Sequence, residues 1–435
     1  MKKYTIQIVF AALLLAWSCT GVVPGTCPPC PVCPPTDTTV VVVPPPGTTG
    51  KAAIGVNTFP WIPIEKLTPF GSVRVYIGSH WIWRPGGLFI QPMFQAETEY
   101  AHGIDEYLTK CKSAGIDPLL CIHQTPEWYV NTGRDDGGND YPPVKDGMSR
   151  TDPNSYKDYA SMLFQVAARY GRQTHPPDKL RVDVSPRWSG DVVNTKKTAL
   201  DLCKYIEPWN ENDKWWKRQQ GQNTEYFTPD ETAAMMSACY DGHEGALGAG
   251  AGIKVADPSM VVVMPGLTDF DVQYITKLDL WFKANRKDKK WPCDVFNLHH
   301  YSNTGNAATI HPPTWKENGA CVPALDKNFG GVKFLVGFAR ALGMKTWITE
   351  FGADSKNPSP MGAGSEAKQA EIITETYKAY FAEGVERCFV FMAADEPGAA
   401  NAGLWQTCGV LTNRVSGYAQ KESWFAVEKL SKESK

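Results

Sequence analysis

The chain has 435 residues, 43% of them hydrophobic and 21% charged, with a formal net charge of −2. That balance excludes the basic field a nucleic-acid binder needs, so no nucleic-acid partner is expected. The length and the apolar share allow one large core, and the polar content of the body excludes a polytopic membrane protein.

The first segment reads as an address. Lys2 and Lys3 form a positive start, and Ile6 to Ala16 is an apolar run of signal-peptide length, too short to cross a bilayer. Ala16-Trp17-Ser18-Cys19 resembles a loose bacterial lipobox, which implies a signal peptide over 1–18, lipidation of Cys19 and export to a membrane surface, a bacterial outer membrane or cell surface. Residues 19–50 are rich in Pro, Thr and Val and nearly uncharged, the composition of an extended tether. Cys27, Cys30 and Cys33 in it have no fourth ligand nearby and read as oxidising or idle rather than metal-binding. The remaining eight of the 12 cysteines are scattered, and their pairing is open.

From 51 to 435, apolar β-favouring runs alternate with helical stretches. The runs are Ala53–Phe59, Ser72–Ile77, Pro118–His123, Tyr205–Glu211, Met260–Pro265, Asp294–Tyr301, Lys345–Phe351 and Arg387–Ala393. Most are continuous, as expected of parallel strands covered on both faces. Helices are expected over Glu97–Ala114, Asp152–Tyr170, Thr228–Leu247, Asp271–Asn285, Asn328–Leu342, Ser365–Ala382 and Tyr418–Leu430. The first connection, Ile62–Phe70, is short and carries a proline, which argues against a helix there. The pattern predicts a single α/β domain, a (β/α)8 TIM barrel. No G-x-G-x-x-G follows the first strand, so no dinucleotide cofactor is expected.

In such barrels the chemistry sits where the strands end. Polar and aromatic residues gather there: Arg74 in the second run, then His123, Asn210-Glu211, His299-His300-Tyr301 and Glu350, with Trp405 beyond the eighth. Trp81, Trp83, Trp128 and Trp215 follow strand ends too, and flat rings of this kind stack on sugar faces. Glu207 reads as a barrel-interior group, and Trp281 and Trp424 as packing. Adjacent histidines on a strand point to opposite faces, so His299 and His300 divide, one to the site and one to the core, and no metal site is expected. Asp395 and Glu396 read as solvated loop charges. The segment Thr125 to Thr151, rich in Gly, Asp and Asn, is long enough to cover a cleft.

The chain resembles the clan A glycoside hydrolases, of the broad type that includes families 5 and 39. Asn210-Glu211 after the fourth strand, His299-x-Tyr301 at the sixth and Thr349-Glu350-Phe351-Gly352 at the seventh carry the resemblance, with Arg74 on the second. The resemblance implies a retaining glycosidase without a cofactor, acting on a polysaccharide or oligosaccharide. Glu211 would be its acid/base, Glu350 its nucleophile, and Asn210 would hold the sugar 2-hydroxyl. Arg74 and Tyr301 would keep Glu350 ionised, while two like charges so close leave Glu211 to carry the proton. His123, Trp128, His299 and Trp405 would complete the substrate site. Two departures bear on the substrate: Asn212 replaces the clan's common Pro, and the eighth run has no Trp. An inactive barrel that binds glycans is the competing expectation. The sugar, endo or exo action and the oligomeric state are left open.

Overall fold

A computed structural model of the chain describes residues 50–88, 103–130, 138–185, 193–214, 217, 225–268, 271–301, 332–356, 363–396 and 405–434. Eight parallel strands form one sheet: β1 (Ile54–Thr58), β2 (Ser72–Gly78), β3 (Asp117–His123), β4 (Tyr205–Glu207), β5 (Val261–Val262), β6 (Val295–His299), β7 (Lys345–Phe351) and β8 (Arg387–Val390). They run in the order β6-β7-β8-β1-β2-β3-β4-β5. Bridges between Val263 and Val295 and between Leu267 and Leu298 join the two ends, so the sheet closes into a (β/α)8 barrel.

The longer helices among the described residues are α1 (Ile104–Ser113), α2 (Lys157–Tyr170), α3 (Pro229–Asp241), α4 (Val272–Asn285), α5 (Val332–Ala341), α6 (Glu366–Glu383) and α7 (Glu422–Glu433). One follows each strand except β1. The connection after β1 holds a single 3-10 turn at Ile64–Lys66, because the five residues between Pro63 and Pro69 and a tight return leave no room for more. Helix starts sit where short polar side chains can take up free amides. Thr228 and Glu231 form a capping box on α3, Asp271 caps α4 and Ser365 caps α6. The prediction for α3 ran to Leu247; the helix stops at Gly242, whose left-handed φ of 67° ends it.

Strand alternation sorts the side chains into two cores. On β2, Val73, Val75 and Ile77 face the helices, while Arg74 and Tyr76 point into the barrel. The lower barrel interior is apolar, built from Leu119, Val263, Val295, Trp347 and Phe389. Phe389 takes the space beside Gly55, where a Cβ would lie 2.3 Å from its ring. Below this layer Arg387 closes the floor, its guanidinium 4.7 Å from the Tyr205 ring and 5.1 Å from that of Trp347, bonded to Ser72 and Asp117. The chain enters at this same floor: Ser72 Oγ also donates to Ala52 O at 2.5 Å. Above the apolar layer the interior turns polar, with Asn57, Arg74, Glu207, Asn297 and Thr349 all fully buried.

The seven described cysteines after the tether are all free and buried, behaving as small apolar groups, so the pairing left open in the sequence is absent among them. Asp395 is no solvated loop charge but a largely buried partner of Lys421 at 3.1 Å. The signal run, Cys19 and the tether lie outside the described residues, as do Trp215, Cys321 and the first parts of the expected helices at 97 and 328. Among the described residues no helix is long and apolar enough to cross a membrane.

Candidate active site

Glu350 comes to the mouth of the barrel through an irregularity in its strand. Trp347 and Thr349 point inward, so strict alternation would send Glu350 outward. Register shifts beside His299 on β6 and between Ile348 and Phe351 on β7 turn its carboxylate to the interior instead. The carboxylate is nearly enclosed, with its side chain 7% exposed. Oε1 accepts from Arg74 Nη1 at 2.7 Å and from the Tyr76 hydroxyl, and Oε2 accepts from the Tyr301 hydroxyl at 2.9 Å.

Arg74 ties the polar layer together. Its Nε and Nη2 grip Glu207 at 2.6 and 2.9 Å, Nη1 also donates to Asn57 Oδ1, and Nη2 reaches Asn210 Oδ1 at 2.7 Å. Glu207 in turn accepts from the Gly266 amide at 2.8 Å. A guanidinium can only donate, so the Asn210 oxygen faces it. The Asn210 amide nitrogen then points elsewhere and has no partner among the described residues.

Glu211 lies past the end of β4 with a left-handed φ of 52°, uncommon for a residue with a side chain. Its amide bonds Gly266 O at 2.9 Å, and Asn210 bridges Gly266, so the turn is stitched to the chain leaving β5. Asp213 adds a second stitch, accepting from Thr268 N at 2.7 Å and from its hydroxyl. Burial pushes Asp213 up to about 7 despite these bonds. Asn212, between them, is fully buried, and neither polar atom of its side chain finds a partner among the described residues.

His299 joins the two glutamates. Its Nδ1 lies 3.0 Å from Glu211 Oε1 and its Nε2 3.4 Å from Glu350 Oε1. One carboxylate oxygen of each glutamate and one ring nitrogen all fall within 4.8 Å of one another. Burial lowers His299, but the Glu350 charge and the Glu211 hydrogen bond outweigh it and hold the imidazole above its usual value. Burial likewise pushes Glu350 up, and the His299 and Arg74 charges with the Tyr76 hydroxyl overcome it, leaving the carboxyl below the ordinary range. The phenols of Tyr76 and Tyr301 are driven well above theirs by burial and stay as donors. This donor set fits a divalent ion poorly. Glu350 Oε1 already faces the fixed positive charge of Arg74, and Nδ1 of His299 is bonded to Glu211.

The other expected residues separate into those that reach this centre and those that do not. Trp405 packs edge-to-face on Tyr301 with ring centres 4.4 Å apart. His123 stands against Tyr76 at 5.6 Å and lies 3.8 Å from Asp140, which pairs with the buried Lys214. Asp140 belongs to the long segment after β3, which folds back through a short pairing of Thr125–Pro126 with Gly138–Asn139. His300 turns away and bonds Tyr380 on α6. Trp128 stands apart: its ring contacts among the described residues are with Trp83 and Tyr129, beside a cavity of about 280 Å³ over α2. Sequence reasoning missed Tyr76, Asp140, Lys214 and Asp213. Tyr76 alone had a signal, a polar-tipped residue two positions after Arg74 on the same inward face.

No family model matches the sequence, and no curated protein does either. Solved structures do. A family 39 glycoside hydrolase from the gut symbiont Bacteroides cellulosilyticus superposes with a TM-score of 0.53 at 12% identity, over 88% of this chain and 64% of that one. A glucosidase from Croceicoccus marinus gives a TM-score of 0.49 at 11% identity, over 89% and 68%. A monomeric β-xylosidase from Caulobacter crescentus gives 0.48 at 16% identity, over 88% and 69%. The first likeness is one of fold: this chain has the barrel that a family 39 glycoside hydrolase has. It spans less than two thirds of that relative's length.

Proposed function

We propose that this barrel is a retaining glycoside hydrolase acting on a polysaccharide or oligosaccharide. One observation carries the reading: Glu211 and Glu350, from strands on different sides of the barrel, bring carboxylate oxygens within 4.8 Å across His299. Retaining glycosidases hold their carboxyl groups about 5–5.5 Å apart, and inverting enzymes keep about 6.5–9.5 Å to admit a water. The fold shared with a family 39 glycoside hydrolase supports the class of reaction and leaves the sugar open.

The groups divide the work. Glu350, held ionised by Arg74 and His299, attacks the anomeric carbon. Its Oε2, with one hydrogen bond against two or more on Oε1, is the freer oxygen for that attack. The proton held on the Glu211–His299 pair goes through Glu211 to the departing oxygen. The free amide nitrogen of Asn210 faces the sugar hydroxyl next to the reacting carbon. Glu350 loses its charge as it becomes an ester, and Glu211 then takes a proton from the water that releases the sugar.

The test is an activity screen on polysaccharides and aryl glycosides, with Glu350→Ala alongside and the anomer of the first product read by proton NMR. Hydrolysis with retention that the variant lacks supports the reading. Activity that survives the substitution removes Glu350 from the chemistry, and glycan binding without turnover favours an inactive barrel. We further propose export as a lipoprotein, supported by Lys2, Lys3, the apolar run to Ala16 and Cys19. Cys19→Ala should move the expressed protein from the membrane fraction to the soluble one.

A further inference from the structure

We propose that Asp354 is a positioning residue that fixes Trp405 as a wall of the sugar site and, through Tyr301, steadies Glu350. The inference rests on the reading of the site as a glycosidase. Asp354 leaves β7 four positions after Glu350 and is fully buried. Its carboxylate does not pair with a Lys or Arg among the described residues. It accepts instead from the Trp405 amide at 2.6 Å, the Thr407 amide at 2.8 Å and the Thr407 hydroxyl at 3.0 Å. Two amides converging on one anion form a backbone nest, and a carboxylate taken out of water persists only where such donors hold it.

What the nest holds is a turn that is unfavourable by itself. Trp405 has a left-handed φ of 71°, a conformation that a bulky residue keeps only when its surroundings impose it. In that conformation its indole stands edge-on to Tyr301 at 4.4 Å and to Phe391 at 6.2 Å. Tyr301 is the residue that bonds Glu350 Oε2. One strand exit thus carries both the proposed nucleophile and the anchor of the aromatic wall beside it. Further bonds, from Ser355 N and Gln369 Nε2 to Thr407 O at 3.0 and 3.2 Å, hold the downstream end of the turn but not the indole. The amide of Trp405 itself depends on Asp354.

The experiment is a double-mutant cycle on the full chain with Asp354→Asn and Trp405→Ala, reading KM and kcat separately on an aryl glycoside the wild type cleaves. Asparagine keeps the size and removes the charge the two amides face. Asp354→Asn should raise KM about tenfold with a smaller change in kcat, and should add nothing in the Trp405→Ala background. Effects that multiply across the cycle, or a KM left at the wild-type value, overturn the proposal. Asp354→Glu, which keeps the charge but displaces it, covers the case in which the asparagine variant fails to fold and should raise KM likewise. A second readout needs no turnover: the part of tryptophan fluorescence lost in Trp405→Ala should become more open to acrylamide quenching in Asp354→Asn. Unchanged quenching overturns the positioning role. A wild type that cleaves no glycoside, with quenching altered as expected, overturns the glycosidase reading and leaves the anchor standing.

Discussion

The His299 ring fills the space that a side chain at residue 266 would need: a Cβ on Gly266 would lie 2.2 Å from its Nε2. The ring that links Glu211 to Glu350 is therefore set from behind by the absence of one methyl group. Gly266→Ala should push the imidazole off one or both carboxylates. A shift of about 1 Å at a reacting centre costs about 10²-fold, and activity should fall by at least that much. Overpacking should cost about 1–3 kcal/mol of stability, read by urea denaturation. Wild-type activity in this variant would show that the His299 contacts are dispensable.

Glu211→Ala should separate substrates by leaving group. General-acid help is worth about 10²–10⁴-fold, and a sugar leaving group needs all of it. A dinitrophenyl glycoside needs almost none for the first step. The variant should lose natural-substrate turnover by that factor, form the glycosyl-enzyme from the activated substrate in a burst, and then stall. Equal losses on both substrates would place the acid elsewhere.

Arg74→Met should be damaging beyond catalysis. The guanidinium is wholly buried and neutralises Glu207 and Glu350 together. Removing one partner of a buried ion pair costs about 3–5 kcal/mol, because the charge left behind is uncompensated. The variant should unfold at markedly lower urea, and Arg74→Lys should recover only part of the loss, since an ammonium cannot span Glu207 in two places.

The stabilisation contributed by Glu350 and by His299 should be lost on opposite sides of a middle pH range. Glu350 is held below the ordinary glutamate value of about 4.3, so its stabilisation is present above that value and is lost as pH falls through the lower folded one. His299 is held above about 6.5, so its stabilisation is full below that value and is lost as pH rises through the higher folded one. Glu350→Gln should flatten the decline of the urea midpoint on the acid side. His299→Asn should flatten the decline above about pH 6.5, and an unchanged slope there would exclude His299 as the titrating group.

A chelator should leave hydrolysis unchanged. The one cluster of metal-type donors among the described residues, Glu211, His299 and Glu350, already carries Arg74 against Oε1 of Glu350. Loss of activity in EDTA, restored by one added divalent ion, would show that a cation displaces the Arg74 contact.

The barrel was legible because its strands are buried on both faces, which makes them continuous apolar runs that stop abruptly at polar residues. Glu350, Asn210 and His299 stand at such stops. Tyr76 was passed over because it lies inside a run, although its spacing of two from Arg74 puts it on the same inward face of β2. Asp140, Lys214 and Asp354 sit in connections whose path depends on tertiary contacts, so their partners are distant in the chain. Asp395 looked like a surface charge for the same reason: nothing near it in sequence announces Lys421. The missing helix after β1 was readable from its prolines, while the strand irregularity that aims Glu350 leaves no mark on composition.

The sealed floor gives the molecule a front and a back. Arg387, wedged between Tyr205 and Trp347, shuts the end of the barrel at which the chain enters beside Ser72, and the two glutamates open at the other end. Under the lipoprotein reading proposed above, a domain tethered through residue 50 would be attached at its blind end. The two glutamates would then face away from the attachment point, within reach of a chain too large to pass beneath the protein.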